Sequence, residues 1–153
     1  MIMKTFGSII DILDFAMQNE QEAIDFYTQL AERMKNRQIR EVFLEFAREE
    51  VGHKARLQKI KDEGVFDMDV EQVRDLKIAD YVVAGKPSDD MEYADALTLA
   101  MKREKAAFKL YTTLAERTGI PEIKKTFQAL AVEESKHKLR FELEYDEYVM
   151  RDN

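Results

Sequence analysis

Sliding the chain on itself by 84 residues, with no gap, lays residues 13–33 over 97–117 with eleven of 21 positions identical. The same offset places Glu50 on Glu134 and His53 on His137, and pairs Phe43 with Phe127 and Ala47 with Ala131. Those are the only two histidines in the sequence. Chance similarity between helices gives scattered Leu and Ala matches, not matched rare residues. The chain therefore reads as two copies of one supersecondary unit. The copies span 8–64 and 92–148, joined by a connection over 65–91, within a single domain of 1–153.

Each copy reads as two helices. In the first, Ser8 is placed to cap a helix whose apolar stripe runs Ile9, Ile12, Leu13, Ala16, Met17, Ala23, Ile24, Tyr27, Leu30, Ala31 and Met34. That spacing is helical, not the alternation of a strand. Asn36 is expected to end it, and a second helix to run from Arg37 to Glu63, closed by Gly64. In the second copy Ser88, Asp89 and Asp90 offer caps for a helix ending near Thr118-Gly119. Pro121 suits the first turn of the last helix, expected to reach about Val149. Short connections make each pair an antiparallel hairpin. The segment between the copies is too long for a tight turn, and Val70–Leu76 within it is expected to form a short helix. A connection of that length can travel the length of a bundle, so the expected fold class is all-α, a four-helix bundle of two hairpins with one long crossover. Only five Gly and two Pro interrupt the sequence, which favours long helices.

Glu20 interrupts the apolar stripe of the first helix, between Met17 and Ala23, and Glu104 does the same between Met101 and Ala107. The inward series of the second helix is Phe43, Phe46, Ala47, Glu50, His53, Leu57; that of the fourth is Phe127, Leu130, Ala131, Glu134, His137, Phe141. Each helix thus carries one glutamate on the face expected to be buried. Four buried carboxylates require compensating positive charge, and no Lys or Arg appears in these series. Register supports convergence: Glu20 lies 16 residues before Asn36 and Glu50 14 after it, while Glu104 and Glu134 each lie 15 from Gly119. At about 1.5 Å per residue the four stand at similar heights above their turns. His53 and His137 follow Glu50 and Glu134 by three residues, on the same helix face. One Glu from each of two helices and a Glu-x-x-His from each of the other two is the ligand set of a carboxylate-bridged two-metal site, iron or manganese.

Other residues admit two readings. Tyr27 and Tyr111 lie two turns from Glu20 and Glu104 on the same face, either as core tyrosines or as hydrogen-bond donors to a ligand carboxylate. Glu49 and Glu133, four residues before the histidines, either orient the imidazoles or belong to a solvated face. The eight methionines read as core filler.

Charge and composition narrow the function classes. A formal charge of −7 argues against nucleic acid or anionic membrane as a partner. No apolar run approaches the roughly 20 residues of a membrane span. The opening Met1–Gly7 lacks a signal-peptide layout, so a cytoplasmic location is expected. Cysteine is absent, which excludes disulfides, thiol nucleophiles and thiolate-bound metals. A metal here must be held by oxygen and imidazole.

With these residues in place the chain resembles the rubrerythrin-type ferritin-like proteins. The matching features are Glu20 with Ala23 and Tyr27, Glu50-Val51-Gly52-His53, Glu104 with Ala107 and Tyr111, and Glu134-Ser135-Lys136-His137. The resemblance covers all four long helices and implies a ferritin-like bundle with two Fe ions on Glu20, Glu50, His53, Glu104, Glu134 and His137, Glu50 and Glu134 bridging. It departs from the family in two ways. The four-cysteine rubredoxin-like domain has no counterpart, and Ala107 stands where a further carboxylate is usual one turn after the third-helix glutamate.

The resemblance implies a non-haem di-iron oxidoreductase that reduces hydrogen peroxide or handles dioxygen. Electrons would come from an external donor such as a rubredoxin or a flavoprotein, because the chain has no second redox centre. The alternatives are a ferroxidase or iron-storage role, and a non-catalytic metal-stabilised interaction module; manganese is the alternative metal. A homodimer is expected, and the long crossover permits a domain-swapped one.

Overall fold

The computed structural model describes residues 6–88 and 90–152, the side chains of Val70 and Asp152 excepted. Among the described residues the chain is helical, with four long helices and no strand. It divides into two compact units, one of residues 6–66 and one from Asp67 onward.

The first unit is the hairpin of α1 (Ile9–Arg33) and α2 (Arg37–Glu63). At its start the Asp11 N–H donates to Ser8 Oγ at 3.2 Å, and the Gly7 N–H donates to the Asp11 carboxylate at 3.1 Å. One of the donors left over at the helix start is satisfied this way, and the residue before the cap is tied to the first turn. Asn36 does not end α1. Its φ of −73° is not the left-handed conformation of a terminating residue, and its side chain accepts from the Ile39 N–H as the N-cap of α2. α1 instead stops at Arg33, where Met34 turns extended. α2 ends as expected: Gly64 has φ 66° and its N–H donates to the Ile60 carbonyl. The two helices pack along their lengths over Leu13, Tyr27, Leu30, Phe43 and Leu57, all buried. Lys61 to Asp14 at 2.8 Å and Lys54 to Gln21 at 2.9 Å fix their register outside.

The second unit opens with the crossover. α3 (Val70–Arg74) carries a complete capping box between Asp69 and Gln72. A 3-10 turn follows (Ile78–Asp80), and Leu76, Ile78 and Tyr81 are buried. The Arg117 guanidinium donates to the Gln72 carbonyl at 2.9 Å, tying α3 to the end of α4 (Tyr93–Arg117). None of the expected caps starts α4. The helix begins at Tyr93, with Glu92 as its cap residue, whose side chain makes no cap bond; Ser88 contributes only its carbonyl, to the Met91 N–H, and Asp89 lies outside the described residues. Asp95 in the first turn supplies the negative charge that a helix start favours. α5 opens at Pro121 and runs to Asp152, beyond the expected end. Its last turns are held by Tyr148 edge-on to Tyr93, with centroids 4.9 Å apart, and by Arg151 at 3.5 Å from Glu144. α4 and α5 form the second antiparallel hairpin.

Candidate metal centre

Within the first hairpin three donors meet. Glu20 comes from the middle of α1, and Glu50 and His53 from one face of α2. All three are buried. His53 Nδ1 stands 3.6 Å from Glu20 Oε2 and 3.5 Å from Glu50 Oε1. In the second hairpin Glu104 comes from α4, and Glu134 and His137 from α5, again buried. There His137 Nδ1 stands 3.7 Å from Glu104 Oε2 and 3.8 Å from Glu134 Oε1. The 84-residue repeat is therefore a repeat of geometry, to within a few tenths of an ångström.

These distances are too long for hydrogen bonds. They suit ligands of one ion. With metal–ligand bonds of about 2.1 Å, donors at right angles lie about 3.0 Å apart and opposed donors about 4.2 Å. Each triad offers one ligand atom per residue with all three atoms inside 4.8 Å. Carboxylate and imidazole donors, with no sulfur, form the hard to intermediate set that iron, manganese and zinc accept. The donor chemistry, the burial and the spacing all fit a metal.

The residues around the triads divide. Tyr27 and Tyr111 are fully buried, as both readings of them require. Tyr27 lies edge-on to Phe46 and Tyr111 stacks on Phe127, so both rings are aromatic core. Glu49 and Glu133 are half-buried. Ala23 is buried and Ala107 half-buried, and neither supplies a ligand.

One buried carboxylate escaped the sequence reading. Glu144 lies three residues after Phe141 on the inward face of α5, and Tyr93 donates to it at 3.0 Å. Its repeat counterpart is Ile60, which sits in apolar packing, and the counterpart of Tyr93 is Ile9. The inward position alone was the available signal; nothing in the repeat marked it.

The comparisons with known proteins agree with this geometry. A chain from Thermotoga maritima assigned as a ferritin-like diiron-carboxylate protein superposes with a TM-score of 0.74 at 24% identity, over 96% of this chain and 99% of that chain. A Pyrococcus furiosus protein without an assigned function superposes with a TM-score of 0.70 at 25% identity, over 91% of this chain and 89% of that chain. No curated protein gives a significant match. No helix among the described residues is long and apolar enough to cross a membrane. The family model Rubrerythrin matches residues 11–145, from the first turn of α1 to the later turns of α5. With both Glu and Glu-x-x-His sets inside that match, the chain is a ferritin-like, all-helical member of the rubrerythrin family.

Proposed function

We propose that this protein is a non-haem di-iron oxidoreductase that reduces hydrogen peroxide, with electrons delivered by a separate redox protein. In this reading the donors of the two triads would hold two irons. Glu20, Glu50 and His53 of the first hairpin and Glu104, Glu134 and His137 of the second are the residues that would hold them. The observation that carries it is the duplicated donor set, two buried carboxylates around one imidazole nitrogen at 3.5–3.8 Å in each hairpin. A two-metal centre supplies the two electrons that peroxide needs to become two waters. The chain's own contribution is to hold two carboxylates and one imidazole close together and out of water in each hairpin. No cysteine is present to act as a second electron relay.

The discriminating experiment is stoichiometric. Protein loaded anaerobically with Fe(II) is mixed with hydrogen peroxide, and the iron oxidation state is followed. A peroxide reductase consumes one peroxide per pair of Fe(II), retains its iron and turns over when a reductant is supplied. Accumulation of many ferric ions per chain would establish the iron-storage alternative instead. Retention of two metals with no reaction toward peroxide or dioxygen would leave a metal-stabilised interaction module.

A further inference from the structure

α5 carries a second pattern besides the inward one. Val132, Leu139, Leu143 and Met150 are each more than half exposed. They recur at intervals of seven, four and seven residues, the spacing of a coiled-coil seam. Ala129, Lys136 and Asp146 are also exposed and complete that seam as its remaining core positions. It runs for about 27 Å of helix at about 1.5 Å per residue. Scattered exposed apolar residues need no explanation, but four aligned on one seam do.

The first hairpin provides an internal control. The residues equivalent to Val132, Lys136, Leu139 and Leu143 are Arg48, Gly52, Ala55 and Lys59, all exposed. At the positions of Val132, Leu139 and Leu143 the same face is polar or small on α2 and apolar on α5. The fold does not demand the apolar stripe.

We infer that this face of α5 pairs with the same face of a second copy of the chain, antiparallel, about a two-fold axis at the level of Phe141. In that register Leu139 meets Leu143 of the second copy, Val132 meets its Met150, and Lys136 meets its Asp146. Val132, Leu139, Leu143 and Met150 then each pack on an apolar residue and the two charges neutralise each other. Sliding by one heptad sets Lys136 against Leu139, or Leu143 against Asp146. A parallel pairing sets Lys136 against Lys136 and Asp146 against Asp146, which electrostatic complementarity disfavours. The stripe is self-complementary in one arrangement, as an isologous contact requires.

Sedimentation of the full-length wild-type chain at micromolar concentration should give a dimer. Leu139→Glu or Leu143→Glu should give a monomer with unchanged helical circular dichroism, since both side chains are exposed. Lys136→Asp or Asp146→Lys alone should weaken the dimer at least about tenfold, and the two together in one chain should restore it. The absence of native cysteine permits a direct test of register. A chain with Lys136→Cys and Asp146→Cys should form disulfide-linked dimers, because about 15 Å separates the two sites within one helix. Neither single variant should cross-link. A monomeric wild type, a dimer that survives Leu139→Glu, or efficient cross-linking of a single variant would each overturn the proposal. So would a monomeric chain that instead floats with lipid vesicles.

Discussion

The carboxylate of Asp67, at the start of the crossover, accepts the backbone N–H of Gly119 at 2.5 Å, pinning the connection to the turn between α4 and α5. The Thr118 hydroxyl donates to the same group at 2.9 Å. These bonds need the ionised form, and the Gly119 amide is the main reason the Asp67 pKa is lowered from its ordinary 3.8. A depressed folded pKa gives stability that is fully present above the unfolded value and is lost as pH falls through the folded one. Asp67→Ala should therefore lower the melting temperature at pH 7, and the difference from wild type should vanish at the acid end of a pH series. Because Asp67 is exposed, the loss belongs at the low end of the range of about 0.5–2 kcal/mol for a lost cap. A difference that persists unchanged at the lowest pH would assign the effect to packing.

Fe(II) and Mn(II) should each raise the melting temperature, by binding the folded donor set, and a chelator should reverse the rise without unfolding the chain. His53→Ala and His137→Ala should each cost one metal position, by similar amounts, because their surroundings match. Glu50→Ala and Glu134→Ala should each abolish tight binding of the pair. Calorimetric titration with Mn(II) checks all four. Strongly unequal histidine effects would break the equivalence of the two halves.

Metal-free protein should respond in the opposite sense. Two buried carboxylates within 4.8 Å of each other repel. Glu20→Gln and Glu104→Gln should each raise the melting temperature of the metal-free chain while lowering metal affinity. Replacing buried charge by neutral groups of similar volume commonly gains about 1–4 kcal/mol. Melting curves in chelator decide it; a drop in both variants would mean that the carboxylates are structural.

Gly52 sits between Val51 and His53 in the middle of α2, and a Cβ built there meets no atom within 4 Å. Gly52→Ala should therefore stabilise the chain by about 0.5–1 kcal/mol, by restricting the unfolded state. That corresponds to a rise of roughly 1–4 °C in a chain of this size. Unchanged metal stoichiometry would show that the glycine is not needed for the site.

Tyr93→Phe should cost about 1–3 kcal/mol, because it removes a hydrogen bond from the buried Glu144 carboxylate. Importing the first repeat's solution, Tyr93→Ile with Glu144→Ile, should recover most of that loss. Denaturant melts of the three chains test the pair as a unit.

Much of this was legible in the sequence because the repeat supplied two independent readings of each position. Ser8, Gly64 and Pro121 stand at helix ends that local chemistry dictates, and Glu20, Glu50 and His53 interrupt stripes that are otherwise apolar. The errors fell where local signals competed. Asn36 can end one helix or start the next, and the geometry of a single turn decides which. Ser88 and Asp90 are good caps in an irregular segment, yet the helix starts after Glu92, whose side chain makes no cap bond. Glu144 depends on a partner, Tyr93, that is 51 residues away, and no periodicity announces such a pair.

Each triad draws one donor from one helix and two from its neighbour in the same hairpin, so the three meet only in one alignment of those helices. A slip by a single turn, about 5.4 Å, carries Glu20 away from His53, or Glu104 from His137. Apolar stripes rich in Leu and Ala tolerate such a slip far better than a metal does. Loading with metal would thus act as a form of proofreading: an ion would favour the hairpin whose helices have found their correct neighbours and discriminate against near-misses that hydrophobic burial alone would accept.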